Sequence, residues 1–206
     1  MAMDGPHASP EALALEAQGG SVQAFEALVA RFEAPLCRFL FVRTRDLAAA
    51  EDMTQEAFLK AWKNLARYDP RWRFSTWLYT LAERLCISAR RARVKDPSTL
   101  HPEHEGVLPA RVPDPAQVVA EHDEGRALWE TAARVLRPEE RSALWLRYAE
   151  DLSMDEIGAI LGRPTVTVRV LLFRARGRLE KALAGEREAH APERPACPAP
   201  GLGSLQ

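Results

Sequence analysis

Apolar residues recur at helical spacing through most of this chain. One such pattern begins with Phe25 and continues past Pro35 to Leu40. Spacings of three and four residues place its apolar side chains on one face of a helix. No stretch shows the apolar–polar alternation, bounded by turn residues, that is typical of a β-strand. The pattern therefore predicts an all-α protein.

Two proline-rich stretches interrupt the helical patterns. Five prolines lie between Asp96 and Pro115, and four more lie between Pro192 and Pro200. Neither stretch sustains a helical period, and such composition is typical of linkers and disordered tails. We therefore expect two helical domains joined by a Pro-rich acidic linker. The segments are an N-terminal tail (1–21), a first domain (22–95), a linker (96–125), a second domain (126–184) and a disordered tail (185–206).

Charge is unevenly divided along the chain, although the net charge is only −1. Residues 24–95 carry 14 Lys and Arg against 8 Asp and Glu, and residues 126–184 carry 11 against 8. Residues 96–125 carry one Arg against seven acids. Two basic blocks around an acidic spacer suggest a polyanionic partner. Charge alone fits a merely solvated surface equally well.

Several classes of protein are disfavoured by what the sequence lacks. No apolar run approaches the roughly 20 residues of a membrane span, and the N-terminus does not resemble a secretory signal. Cys37, Cys86 and Cys197 lie far apart and indicate free thiols in a reducing cytoplasm. His101 and His104 have no third metal ligand nearby. We expect no metal, no cofactor, no membrane insertion and a cytoplasmic location.

The most distinctive local motif begins at Ser153. Ser153 and Glu156 have the spacing of a capping box at the start of a helix, and Gly162 ends that helix. Gly158 would let a second helix approach closely, while Gly162 can adopt the positive φ of the turn. Residues 126–136 and 138–148 predict two preceding helices. The motif therefore predicts a helix-turn-helix.

The second helix of this motif begins near Pro164 and carries one continuous apolar stripe. The stripe residues are Val168, Leu172, Ala175, Leu179 and Leu183. Cations lie off the stripe, and two threonines stand in the first turn, where hydroxyls and amides commonly meet phosphate. This is the usual arrangement of a helix that enters the major groove. The expected DNA contacts are Arg163, Thr165, Thr167, Arg169, Val170, Arg174 and Arg176.

Residues 47–65 predict a helix with an acidic outer face. Asp52, Gln55 and Glu56, at positions i, i+3 and i+4, share that face. An acidic face in an otherwise basic domain suits a basic protein surface better than DNA. Spacing alone leaves a solvated face as the simpler interpretation.

Cations and aromatic residues alternate in the turn that leads to Phe74. A helix follows that we expect Ser75 or Thr76 to cap, and it ends in a basic cluster. Aromatic rings beside cations can stack on unpaired bases while the charges hold the backbone. We expect Phe74 and Trp77 in the core and Trp72 exposed. The candidate DNA contacts are Arg71, Trp72, Arg73, Arg84, Arg90, Arg91 and Arg93.

Three segments together resemble regions two and four of the bacterial sigma-70 family. They read DLAAAEDMTQEAFLKAWKNL, FSTWLYTLAERL and LSMDEIGAILGRPTVTVRVLLFRARGRL. They come in the family's order, and the resemblance covers about residues 22–95 and 126–183. The short two-domain layout resembles the extracytoplasmic-function (ECF) branch of that family.

The resemblance implies a sigma factor, which binds core RNA polymerase and directs promoter-specific transcription initiation without catalysis of its own. Asp52, Gln55 and Glu56 match the family's DxxQE motif, which docks on the coiled coil of the polymerase clamp. The turn and basic helix, residues 71–95, match the part that opens and holds the −10 element of promoter DNA. The helix-turn-helix matches the part that reads the −35 element as duplex.

The second helix of the motif departs from the family pattern. Where the family usually reads GTVKSRL, this chain has VTVRVLL. On a helical wheel, Val166, Val170 and Phe173 cluster opposite the core stripe. Three explanations are open. The apolar face contacts thymine methyl groups, or it binds a partner such as an anti-sigma factor, or DNA binding here is weak and relies on phosphate contacts and the first domain.

Three classes of function compete at this point. A sigma factor needs the polymerase, a conventional repressor or activator binds an operator by itself, and a nucleic-acid enzyme needs catalytic groups. The acidic face of residues 52–56 favours the first, because a lone operator binder has no need of it. The third is weak, because no Walker loop, HExxH motif or convergent set of carboxylates is present.

Overall fold

The computed structural model describes residues 8–95 and 123–189, with side chains for 8–92 and 128–186. All regular elements in these ranges are helical, and no described helix is long and apolar enough to cross a membrane. The N-terminal body contains α1 (Pro10–Gln18), α2 (Val22–Thr44), α3 (Leu47–Asn64), a 3-10 turn (Leu65–Arg67) and α4 (Phe74–Lys95). The C-terminal body contains α5 (Asp123–Val135), α6 (Pro138–Tyr148), α7 (Met154–Leu161) and α8 (Thr165–Ala189). The all-α, two-domain prediction is confirmed.

Helix α2 runs unbroken through Pro35. A proline ring fixes φ in the helical range but removes one N–H donor from the ladder. Apolar side chains on both sides of it are fully buried, among them Leu28, Leu36 and Phe39. Burial of this stripe holds the helix together across the missing hydrogen bond.

Helix α1 lies in the segment that the sequence analysis treats as a tail. The Ser9 side chain caps it, and Pro10 occupies its first turn. Gln18 Nε2 donates to the carbonyl oxygens of Leu65 and Tyr68 at 2.7 and 2.8 Å. These bonds tie α1 to the 3-10 turn, so the N-terminal body begins well before residue 22.

The cap of α4 also differs from the expectation. The helix begins at Phe74, before both Ser75 and Thr76. The Phe74 N–H donates to Glu11 Oε1 of α1 at 3.1 Å. A carboxylate from another helix therefore satisfies an end amide that a local hydroxyl would usually take, and its charge suits the positive end of the helix dipole.

A buried ion pair crosses the N-terminal body. Arg43 Nη2 of α2 lies 2.8 Å from Glu83 Oε1 of α4, and both side chains are almost fully buried. Burial raises the pKa of Glu83, while Arg43 acts in the opposite direction. Beside this pair, the core is aromatic, with Phe39 and Tyr79 in edge-to-face contact at 5.1 Å.

The C-terminal body is organised by caps and one tight turn. The Ser153 hydroxyl accepts from the Glu156 N–H at 3.3 Å, and Glu156 Oε2 accepts from the Ser153 N–H at 2.8 Å. This is the expected capping box. Gly162 ends α7 with φ +62°, and a Cβ at Gly158 would lie 2.7 Å from the Arg163 carbonyl oxygen. Both glycines therefore have the roles that the sequence predicts.

Helix α8 buries the first part of the predicted stripe, leaves Leu179 and Leu183 only partly covered, and is longer than expected. Val168, Leu172 and Ala175 are essentially inaccessible to solvent. The helix continues to Ala189, inside the segment expected to be a disordered tail. Glu186 supports this extension, because its carboxylate pairs with Arg134 and accepts from Thr131 of α5.

The two bodies pack against each other through two pairs of helices. Helix α6 lies on α2, and α7 lies on α4. The two helices of each pair come from segments that the sequence pattern assigns to different domains. This packing brings the helix-turn-helix next to the start of the basic helix α4.

Candidate nucleic-acid interface

The acidic face of α3 is formed as the sequence predicts. Asp46 caps the helix with its side chain, and Thr54 and Phe58 turn inward and are buried. Asp52, Gln55 and Glu56 are all exposed on the opposite side. The structure therefore brings the three candidate polymerase-binding residues together on one accessible surface.

An apolar groove borders this acidic face, and the sequence analysis did not identify it. The groove has a volume of about 400 Å³ and lies between α2 and α3. Its lining residues are Val22, Phe25, Val29, Glu33, Thr54, Gln55, Phe58, Leu59 and Trp62. Leu59 is 59% exposed and Trp62 41%. These large apolar side chains just after the acidic motif are the signal that could have revealed it.

The turn before α4 holds Trp72 in solvent. The Trp72 N–H donates to the Asp69 carbonyl oxygen at 3.0 Å, and the Tyr68 hydroxyl donates to the Trp72 carbonyl oxygen at 2.6 Å. The N–H and the carbonyl group of Trp72 are therefore both bonded within the turn. Its side chain is 63% exposed. Phe74 is fully buried and Trp77 partly so. The expected division between core and exposed aromatics is present.

Arg71 and Asp69 form an ion pair within this turn. Arg71 Nη2 lies 2.5 Å from Asp69 Oδ2, and the arrangement is bidentate. Hydrogen bonds from Arg71 lower the pKa of Asp69. Arg71 is therefore partly engaged by its own turn.

Cations continue along α4 beyond the turn. Arg84, Arg90 and Arg91 are exposed and make no hydrogen bond or ion pair to other side chains or carbonyls of the described part. Arg84 and Arg91 are seven residues apart and so lie on one face of the helix. The side chain of Arg93 lies outside the described residues. A basic surface thus extends from the turn along α4.

Arg73 contacts the other body. Its Nη1 lies 3.5 Å from Glu156 Oε1 of α7, and the Thr76 hydroxyl donates to the same oxygen at 3.1 Å. Burial opposes ionisation of Glu156, but the hydrogen bonds from Ser153 and Thr76 outweigh burial, so the pKa of this carboxyl is below its usual range. This candidate DNA contact is already paired with a carboxylate.

The candidate contacts of the helix-turn-helix fall into two groups. Three of them bond within the C-terminal body: Arg163 with Glu139 at 2.8 Å, the Thr165 hydroxyl with Asp155 at 2.6 Å, and Arg176 with the Leu172 carbonyl oxygen at 3.4 Å. Arg169 and Arg174 are exposed, and their side chains make no such bond in the described part. Thr167 is partly exposed in the first turn of α8.

An exposed apolar face lies beside Arg169 and Arg174, so the outer side of α8 is not purely cationic. Val166 is 68% exposed, Val170 40% and Phe173 75%. Their spacing places them on one side of α8, opposite the buried stripe. Leu171, which stands where the family has a basic residue, packs partly against the core. The helical-wheel prediction of an exposed apolar face is confirmed.

Two family models match this chain. Sigma-70 region 2 matches residues 28–95, and Sigma-70, region 4 matches residues 126–179. The first covers the acidic face, the turn and α4. The second covers the helix-turn-helix and the two helices before it.

Curated relatives cover most of the chain. It is 32% identical over 163 residues to the RNA polymerase sigma factor YlaC of Bacillus subtilis. The matched region covers 79% of this chain and 94% of that protein. It is 29% identical over 179 residues to the ECF RNA polymerase sigma factor SigW of Bacillus subtilis. The matched region covers 80% of this chain and 91% of that protein.

Two solved structures share the fold. One is CnrH in complex with the cytosolic domain of CnrY, with a TM-score of 0.63 at 23% identity over 87% of this chain and 99% of that one. The other is the sigma factor RpoE with the anti-sigma factor NepR from Bartonella quintana, with a TM-score of 0.61 at 22% identity over 81% of this chain and 100% of that one. The two family models and the curated relatives together show that the chain belongs to the sigma-70 family, in its extracytoplasmic-function branch.

Proposed function

We propose that this protein binds core RNA polymerase through the acidic face of α3 and directs it to promoters. The turn and α4 engage the promoter element nearest the start site, and α8 engages the more distant one as duplex DNA. It supplies recognition and leaves phosphodiester synthesis to the polymerase, so it is not itself an enzyme. Because its partners are polymerase and chromosomal DNA, it acts in the cytoplasm.

The observation that carries this proposal is the exposed acidic face in an otherwise basic body. The side chains of Asp52 and Gln55 make no hydrogen bond or ion pair within the described part of the chain, and the Glu56 side chain pairs there only with Lys60, at 2.8 Å on the same helix. Surface pairs at this spacing contribute little, so Glu56 can exchange Lys60 for a basic partner at low cost. The neighbouring apolar groove gives the same partner a desolvated contact beside the charges.

We assign the DNA contacts to exposed groups of the turn before α4, of α4 itself and of α8. In the first domain, Trp72 can stack on an unpaired base while Arg84 and Arg91 hold the backbone. In the second, Arg169 and Arg174 are exposed and their side chains have no bonded partner among the described residues, so both can reach phosphate. Val170 lies between these two arginines and suits a thymine methyl group. This division gives single-stranded contacts to α4 and duplex contacts to α8.

Charge reversal on α3 tests the polymerase assignment. We expect Glu56→Lys to lower the affinity for core polymerase at least about 100-fold, because it replaces an attraction by a repulsion at a specific charged contact. Fluorescence anisotropy of the labelled full chain against core enzyme measures the affinity. The matched control is Glu16→Lys, which reverses an exposed charge on α1. Unchanged binding by a folded Glu56→Lys protein would remove α3 from the interface.

A further inference from the structure

Helix α1 holds both ends of the turn that precedes α4. We call residues 68–73 the Trp72 turn, after its exposed aromatic residue. At the first end of this turn, Gln18 Nε2 donates to the carbonyl oxygens of Leu65 and Tyr68 at 2.7 and 2.8 Å. At the second end, Glu11 Oε1 accepts from the first N–H of α4 at 3.1 Å. Two side chains of one short helix therefore fix the backbone on both sides of the turn.

The spacing of residues on α1 explains how one helix reaches both ends. Glu11 and Gln18 are seven residues apart, so they lie on the same side of the helix, two turns and about 10 Å from each other. Between them, Ala14 is fully buried and Ala17 nearly so. Because these side chains are small, the helix backbone lies close to the rest of the N-terminal body. The two longer polar side chains can then reach the turn.

Inside the Trp72 turn, Tyr68 connects these anchored ends to Trp72. The Tyr68 hydroxyl donates to the Trp72 carbonyl oxygen at 2.6 Å, and the Tyr68 ring packs edge-to-face against Phe74 at 5.6 Å. Burial raises the pKa of Tyr68 to about 12, and the carboxylates of Glu11 and Asp69 act in the same direction. The phenol therefore stays protonated near neutral pH and can donate this bond.

The anchored backbone presents an exposed ring with a cation on each side. Trp72 is 63% exposed, and Arg71 and Arg73 are exposed beside it. A ring on a mobile loop loses conformational entropy when it stacks on a base, whereas a turn that is already ordered avoids most of that cost. All of the bonds from α1 lie within the N-terminal body, so they do not depend on the position of the C-terminal body.

We propose that Glu11 and Gln18 are positioning residues for promoter opening, because they hold the Trp72 turn in the conformation in which Trp72 stacks on an unpaired base. Without their bonds the turn samples other conformations, and its apparent affinity for unpaired DNA falls in proportion to the loss of the competent one. Both residues act through the turn and need no contact with DNA. The inference rests on the single-stranded contact proposed above for Trp72.

Fluorine NMR tests the positioning without DNA. The chain has five tryptophans, and in protein labelled with fluorotryptophan the Trp72 signal is the one absent from Trp72→Phe. The double variant Glu11→Ala with Gln18→Met removes the bonds from α1 and nearly keeps the side-chain length at the second position. We expect one sharp Trp72 signal in the natural chain and a broadened or divided one in the double variant. The signals of Trp129 and Trp145, in the C-terminal body, should not change. An unchanged Trp72 signal would overturn the proposal.

Promoter opening by the holoenzyme supplies the functional arm. The template is a duplex promoter that the natural chain transcribes with core polymerase, and permanganate oxidation of unpaired thymines measures the open fraction. We expect the double variant to lower the opening equilibrium about tenfold, since the bonds at each position contribute roughly threefold. Affinity for the closed duplex, measured by anisotropy at low temperature, should stay the same, because α8 and not the turn binds duplex DNA. Normal opening by the folded double variant, or equal losses of opening and of duplex affinity, would overturn the proposal.

Matched substitutions at exposed positions serve as controls. Glu16→Ala lies on α1 and Gln23→Met on α2, and both should open the promoter like the natural chain. Glu11→Gln keeps an oxygen acceptor for the Phe74 N–H and should recover most of what Glu11→Ala loses. A Glu11→Gln variant as impaired as Glu11→Ala would contradict the assigned bond. If the double variant is unfolded by circular dichroism, Gln18→Met takes its place, with an expected loss of about threefold.

The variant Trp72→Ala separates this inference from the function on which it rests. We expect it to lower promoter opening at least as much as the double variant does. If Trp72→Ala opens the promoter like the natural chain, the DNA contact assigned to Trp72 fails. If Trp72→Ala impairs opening and the double variant does not, that contact stands and positioning by α1 is overturned.

Discussion

The N-terminal and C-terminal bodies share helical architecture but differ in what they bury and what they expose. The N-terminal body buries an ion pair, Arg43 with Glu83, and exposes a polar acidic face on α3. The C-terminal body depends on a glycine turn and a capping box, and it exposes an apolar face on α8. Inward residues follow the requirements of the fold, whereas outward residues follow the partner.

The largest expected loss of stability comes from breaking the buried ion pair of the N-terminal body. Glu83→Leu leaves the Arg43 guanidinium buried without its partner, and this should lower the free energy of unfolding by about 3–5 kcal/mol. Urea denaturation measures the change. The double variant Arg43→Met with Glu83→Leu should recover most of the loss, because it removes both charges together. If the single and double variants lose equal free energy of unfolding, the unpaired Arg43 charge is not the cause of the loss.

A smaller effect is expected at the glycine turn of the C-terminal body. A Cβ at Gly158 would meet the Arg163 carbonyl oxygen at 2.7 Å, so Gly158→Ala should cost about 1–3 kcal/mol in the free energy of unfolding. Gly177 is the matched control, because a Cβ there meets nothing within 4 Å. Gly177→Ala should stabilise α8 by up to about 1 kcal/mol. Thermal denaturation distinguishes the two, and a neutral Gly158→Ala would contradict the close approach.

The smallest expected effect concerns the apolar face of α8. Val170→Asp places a carboxylate among phosphates and removes an apolar contact, so promoter binding by holoenzyme should weaken about tenfold. Leu15→Asp, at an exposed apolar position on α1, is the control. Electrophoretic mobility shift with promoter duplex measures the affinity. Unchanged binding would exclude the thymine-methyl explanation and leave two, a protein partner such as an anti-sigma factor or weak DNA binding by α8.

The sequence predicts features that depend on near neighbours in the chain. Sequence alone predicts the capping box of Ser153 and Glu156 because the two residues are three positions apart. It predicts the roles of Gly158 and Gly162 because the groups they meet also lie within a few residues. The exposed face of α8 follows from helical periodicity for the same reason.

Features that join distant segments could not be predicted in this way. Glu11 caps a helix 63 residues away, and Arg141 reaches carbonyl oxygens 98 and 99 residues away. On a helical wheel, Arg141 is indistinguishable from an arginine in solvent, because the wheel does not show which surface another body covers. Tertiary packing, which no local pattern encodes, decides that this charge is buried.

Run-off transcription by core RNA polymerase over a promoter library tests the central claim most directly. With the natural chain, we expect discrete transcripts from a defined set of promoters, absent with core enzyme alone and lost with Glu56→Lys. The same reaction with Glu16→Lys should match the natural chain. Binding to core polymerase without promoter-specific transcripts would contradict the sigma-factor function, and undiminished transcripts with Glu56→Lys would contradict the role of the α3 face.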